Sequence, residues 1–143
     1  MKRYTVGFIF NQDLTKVLLV HKTAPEWQVG LINGVGGKME EGESGIDCIV
    51  REIKEETDLD AIKEDVHFVG ELTEPAAYVE VFGYIYDGEL FKAYVFEKEK
   101  IEWFSVNDLP KNMITNLTWL IPLTLEKLKE QKIEKFTIHY SKF

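Results

Sequence analysis

The stretch GGKMEEGESGIDCIVREIKEETDL, residues 36–59, most narrows what this chain can fold into. Ile46, Ile49, Val50, Ile53 and Leu59 recur at the spacing of one helix face. Ser44 offers an N-cap and Asp47 the acid of a capping box, so the pattern predicts a helix over about 45–57. On the other face Glu52, Glu55 and Glu56 fall at i, i+3 and i+4, with Glu43 just upstream. Like charges four apart destabilise a helix by roughly 0.2–0.5 kcal/mol per pair, and Lys54 lies on another side. A charge run is usually a solvated face. Here the apolar stripe fixes the helix orientation, and Gly34, Gly36 and Gly37 crowd the preceding loop, where glycine permits positive φ and close backbone approach to a ligand. Clustered carboxylates become favourable around a hard cation. Mg²⁺, or Mn²⁺ in its place, takes oxygen ligands and usually shares its shell with substrate phosphates.

The charge distribution agrees. Of the formal net charge of −8, residues 37–59 carry −5, from eight acids against three bases. Such a surface repels a nucleic-acid backbone, which needs Lys and Arg, so no nucleic-acid polymer is expected as partner. Cys48 is the only cysteine, which excludes an intrachain disulfide or thiolate cluster. It sits among Ile46, Ile49 and Val50 and reads as a small buried side chain. The apolar patch Val6–Phe10 is too short for a signal-peptide core or a membrane span, so a soluble cytoplasmic protein is expected, monomeric or homodimeric.

At 143 residues with 45% hydrophobic and 29% charged side chains, one globular domain over 1–143 is expected. Residues 3–10 and 16–21 read as a hairpin around the Asn11–Thr15 turn, and 22–38 as a Gly/Pro-rich loop. Residues 66–72, 78–86, 90–97, 101–104 and 135–140 read as strands, with a turn at Asp87-Gly88. A second long helix runs from Thr115 or Asn116 to about 131, with Pro122 expected in its first turns, where a missing N–H costs least. Two helices among six or seven strands, not strictly alternating, give an α/β fold with a mixed sheet and helices on both faces.

The spacing of Gly37, Glu43, Arg51-Glu52-Ile53, Glu55-Glu56 and Leu59 resembles the signature box of the Nudix hydrolases at eight of its nine fixed positions. Asp58 stands where the family has Gly, at a helix exit that favours a left-handed residue. The resemblance implies an α/β/α sandwich that hydrolyses nucleoside diphosphates linked to another group. It implies that Glu52, Glu55 and Glu56, with the backbone carbonyl of Gly36, hold the metal. Catalysis would fall to Glu52, Glu55 and Arg51, without fixing which glutamate is the general base. Gly37 and Glu43 would be structural, Glu43 pairing with Arg51.

Residues 33–38, NGVGGK, also resemble the corresponding run of the MutT-type branch, which cleans oxidised purine nucleotides. In that branch the Asn contacts the base, and Asn116 lies near a second base-reading position. An amide offers both a donor and an acceptor. It can meet the N7–H and O6 of 8-oxoguanine together, whereas guanine would leave the amide oxygen unmet, at about 1–3 kcal/mol when buried. Asn33 reads equally as a turn residue and Asn116 as an N-cap. Lys22 and Lys38 are weak phosphate-binding candidates. Trp27, Phe82, Tyr84, Trp103 and Trp119 are stacking or core residues. Glu89 resembles a loop glutamate that completes the metal shell in some relatives, though a solvated acid is the simpler reading. Pro75, sixteen residues beyond Leu59, keeps an ADP-ribose pyrophosphatase open, and Tyr78 lies near a position marking diadenosine-polyphosphate hydrolases. A Nudix-fold regulator without catalysis is disfavoured because all the box glutamates are present.

Overall fold

A computed structural model describes residues 1–130 and 133–141. The strands are β1 (Lys2–Asn11), β2 (Lys16–His21), β3 (Ile32–Asn33), β4 (Val35–Lys38), β5 (His67–Glu74), β6 (Ala77–Tyr86), β7 (Ala93–Phe96), β8 (Glu99–Ser105) and β9 (Phe136–His139). The helices are α1 (Gly45–Thr57) and α2 (Leu117–Glu130). One mixed sheet runs in the order β7-β8-β2-β1-β6-β5-β9. β1 at its centre pairs parallel with β6 along its whole length. Its other edge is divided: Ile9 and Phe10 pair with β2, while Tyr4 to Gly7 pair with β4.

Both faces of the central strands are covered, which explains their near-continuous apolar runs. Ile9, Leu18, Val20 and Phe82 face α1 and pack with Ile49 and Ile53. Phe8, Phe10, Val17, Leu19 and Val81 face α2 and pack with Leu117, Leu120, Ile121 and Leu128. The result is the α/β/α sandwich anticipated above. Among the described residues no helix is long and apolar enough to cross a membrane.

The β1–β2 hairpin is built by Asn11. Its Oδ1 accepts from the backbone N–H groups of Thr15 and Lys16, both at 2.9 Å, and its Nδ2 donates to Thr15 Oγ1 at 2.9 Å. The Ser44 cap of α1 is as expected, Ser44 Oγ accepting from the Asp47 N–H at 3.2 Å, while the Asp47 carboxylate pairs with Lys63 at 2.7 Å. At the exit Asp58 adopts the left-handed conformation, φ 63°, that glycine would take.

Three expectations need correction. Residues 22–38 are not all loop: β3 and β4 lie within them, two short strands that local pattern hides because their partners, β2 and β1, precede them by many residues. The strand expected at 90–97 shrinks to 93–96, and 101–104 lengthens to 99–105, because these segments pair with each other about Phe96↔Glu99. Pro122 falls in the early turns of α2 as expected, but past the N–H groups that lack a helical partner, since Leu120 N–H already bonds the Asn116 carbonyl. The carbonyl deprived of its partner belongs to Thr118, which is exposed, so water can satisfy it. The helix end expected near 131 lies outside the described residues.

Candidate active site

α1 lays its acidic side against β4. Gly34, Gly36 and Gly37 are there because the chain has no room for side chains. A Cβ at Gly34 would lie 2.8 Å from the Gly7 carbonyl oxygen and 2.8 Å from the Phe8 ring, and one at Gly36 would run into the Thr5 carbonyl. A Cβ at Gly37 would come within 2.5 Å of Glu52 Oε1. Close approach is therefore what the glycines provide, joined at Gly36 by a positive φ of 159°, and at Gly37 it opens the space into which Glu52 reaches.

The like charges are not left unrelieved. Arg51 Nη1 donates to Glu52 Oε1 and to Glu55 Oε2, each at 3.0 Å. Its Nε and Nη2 hold Glu43 at 2.8 and 2.9 Å, and Nη2 also reaches the Lys38 carbonyl at 3.2 Å. The pairing of Arg51 with Glu43 was expected; the contacts with Glu52 and Glu55 were not. Lys54, as expected, turns away, to Asp58 and Asp60.

Glu56 and Glu52 are both largely covered, their side chains 15% and 13% exposed; the Glu56 carboxylate meets different partners. Oε2 accepts from the Gly36 N–H at 3.0 Å, and Oε1 lies 3.5 Å from Lys22 Nζ. Burial raises its pKa to about 7 against the pull of Lys22 and the Gly36 N–H. Burial also raises Glu52. Glu55 is exposed at 57%.

One residue of this network carries no local sequence signal. Glu99, the first residue of β8, sits 3.3 Å from Lys22 through Oε1 and accepts from the Thr23 N–H at 2.7 Å through Oε2. The pairing of β2 with β8, His21 opposite Lys100, brings it there. Glu89, by contrast, is exposed in the segment between β6 and β7.

Among the described residues no three His, Cys, Asp or Glu side chains converge as a metal-holding group. Glu52 and Glu55 are turned to Arg51 and Glu56 to Lys22. The donors on this helix face are nonetheless all oxygens, and the buried Glu56 shares Lys22 with Glu99. That chemistry fits a hard dication, which these carboxylates would hold by leaving their bases.

A cleft of about 910 Å³ runs over the α2 face of the sheet and borders the acidic corner through Lys22, Gly36 and Gly37, which touch Glu56 and Glu52. Lys22, Gly36, Gly37 and Lys38 line one part, and Trp27, Asn33 and Asn116 another. Asn33 is half a turn residue: Oδ1 accepts from the Gly34 N–H at 2.8 Å, while Nδ2 donates to Gln28 Oε1 at 3.0 Å. Asn116 starts α2 with its carbonyl, which accepts from Trp119 and Leu120. The N-cap reading of its side chain is not met, since among the described residues the amide makes no hydrogen bond. Phe82, Tyr84 and Trp103 are core on the α1 side, and Trp119 packs on the α2-side core. Trp27, 68% exposed, is the aromatic ring of that set at the cleft. Cys48 is buried against Thr5 Oγ1 at 3.2 Å, and burial pushes its thiol up to about 11, so it is inert. Tyr78 donates to Glu71 at 2.7 Å, whereas its strand neighbours Ala77 and Val79 line the cleft.

The sandwich, the glycine-lined strand and the acidic helix face are those of the Nudix class. The NUDIX domain matches residues 1–122, and the chain belongs to that family. The NAD-capped RNA hydrolase NudC of Pseudomonas putida (strain GB-1) is 33% identical over 89 residues, 61% of this chain and 32% of that protein. The chain thus spans about a third of the NudC relatives it matches. Among solved structures, an ADP-ribose pyrophosphatase from Streptococcus suis 89-1591 is 26% identical with a TM-score of 0.69, covering 97% of this chain and 98% of that one. MutT from Bacillus halodurans shares the fold with a TM-score of 0.69 at 23% identity, covering 99% and 91%.

Proposed function

We propose that the chain hydrolyses nucleoside triphosphates, oxidised purine nucleotides among them, to the monophosphate and pyrophosphate with Mg²⁺. The observation that carries this reading is that one cleft holds Lys22, Gly36 and Gly37, the neighbours of Glu56 and Glu52, together with Asn33 and Asn116. Glu52, Glu55 and Glu56, with the Gly36 carbonyl, hold the cation. A bound dication neutralises phosphate oxygens and lowers the pKa of the attacking water. Glu52, whose pKa burial raises, accepts that water's proton as the oxygen bonds to phosphorus and the anhydride P–O bond breaks. Glu56 is anchored by the Gly36 N–H and serves the cation. Arg51 positions Glu52 and Glu55. Lys22 and Lys38 face the phosphates, and the Asn33 and Asn116 amides face the base, Asn33 by releasing Gln28.

A second reading, ADP-ribose or another nucleotide-sugar substrate, is favoured by the near-complete coverage of the Streptococcus suis pyrophosphatase and by a cleft at the roomy end of the usual range. The concentrated acidity disfavours a capped RNA polymer.

The test is a panel assay with Mg²⁺ on 8-oxo-dGTP, ordinary dNTPs, ADP-ribose, NAD and diadenosine polyphosphates. A triphosphate should lead, and Glu52→Gln and Glu56→Gln should each lower its turnover by about 10²–10⁴. Asn116→Ala should narrow the gap between oxidised and ordinary purines. Preference for ADP-ribose over every triphosphate reverses the ranking, and near wild-type turnover by Glu56→Gln removes the proposed site.

A further inference from the structure

Each acid of the α1 cluster meets a base, but the two bases are held differently. Arg51 gives one nitrogen to Glu52 and Glu55, while Nε and Nη2 are fixed to Glu43 and the Lys38 carbonyl. It therefore stays in place when Glu52 and Glu55 leave it. Lys22 is anchored only through its backbone, whose N–H bonds Leu31 and whose carbonyl accepts from Gly30. Its ammonium, on a side chain 11% exposed, touches two carboxylates, Glu56 at 3.5 Å and Glu99 at 3.3 Å. Glu99 is held on its other oxygen by Thr23.

We propose that Lys22 is a resident counter-ion of Glu56, which neutralises this carboxylate when no dication is bound, withdraws onto Glu99 when one is, and so sets the metal affinity of the site. This rests on the metal-dependent reading above. A buried carboxylate needs a positive partner, and Lys22 supplies one inside the fold. A dication on the same carboxylate repels the ammonium, and Glu99 offers it a second acid without re-exposure to water. The exchange weakens metal binding to the empty enzyme. A polyphosphate entering the cleft beside Lys22 adds negative charge that favours the exchange, so dication and nucleotide bind with positive, reciprocal coupling. Lys22 is thus a positioning residue whose effect lies in binding order.

The experiment is Mn²⁺ titration of the full chain, followed by the electron paramagnetic resonance signal of free Mn²⁺, without nucleotide. Lys22→Gln should bind Mn²⁺ on the order of five- to tenfold more tightly than wild type. Lys22→Arg and the exposed charge control Lys98→Gln should stay within about twofold of wild type. A non-hydrolysable methylene-bridged triphosphate should tighten Mn²⁺ more in wild type than in Lys22→Gln. Glu99→Gln should weaken Mn²⁺ in the wild-type background and not in Lys22→Gln, which tests the exchange even if one single variant folds poorly. Equal or weaker affinity in Lys22→Gln, or equal tightening by Lys98→Gln, overturns the proposal. If wild type binds Mn²⁺ neither alone nor with the analogue, the metal-dependent reading falls and this inference with it.

Discussion

Arg51 grips Glu43 through two parallel hydrogen bonds, Nε to Oε2 at 2.8 Å and Nη2 to Oε1 at 2.9 Å. The first acid of the box thereby fixes the first base of the helix, and the same guanidinium reaches Glu52 and Glu55 with its remaining nitrogen. Bidentate pairs of this kind add geometric definition as well as energy.

This pair predicts an acid limit to stability. The Arg51 bonds, then the Glu40 N–H, hold the Glu43 carboxyl at about 2, below its ordinary 4.5. A depressed folded-state pKa contributes stability that is present above 4.5 and lost as the pH falls through 2. Urea melts should show wild type losing more stability than Glu43→Gln across that window. Parallel curves for the two proteins would dismiss the pair as a source of stability.

Glu56 has the opposite sign. Its folded-state pKa, about 7, lies above the ordinary 4.5. Its proton is held more tightly when folded, so the chain is relatively most stable below 4.5 and loses that advantage as the pH rises through 7. In chelator-treated protein, Glu56→Gln should melt a few degrees above wild type at pH 8, with the gap closing toward pH 5. A constant gap between the two melting curves at both pH values would count against a buried charge.

Gly37→Ala places a methyl group against the Glu52 carboxylate, the far end of a flexible side chain. Glu52 can yield by turning, so melting temperature should fall little while turnover drops about 10- to 100-fold through the misplaced carboxylate. An alanine variant with unchanged turnover would show that Glu52 tolerates displacement.

Asp58→Gly relieves a left-handed residue at the exit of α1. The exchange should raise stability by about 0.5–1 kcal/mol, offset in part by the exposed contact with Lys54, and leave turnover unchanged. Denaturant melts that show destabilisation would mean Asp58 does more at that helix end than accept the backbone angle.

The helix–glycine unit was legible because its signals are local: a 3.6-residue stripe, a serine cap and acids one turn apart. The pairing of Arg51 with Glu43 was expected from the resemblance to the Nudix box. The network around Lys22 was not legible, because Glu99 is 77 residues away and only the β2–β8 register joins them. β3 and β4 were missed for the same reason: two and four residues carry too little pattern, and strand partners decide them. Asn116 looked like a cap by residue type, yet the backbone carbonyl begins the helix and the amide is left to the cleft.

Each residue of β1 faces one seventy-five positions later in β6, from Lys2↔Ala77 to Asn11↔Tyr86. A ribosome must therefore release more than half the polypeptide before the middle of the sheet can zip up. Until then Val6 to Phe10 remain a sticky segment in search of a partner, and assembly of the fold should be slow and sensitive to crowding by other nascent chains.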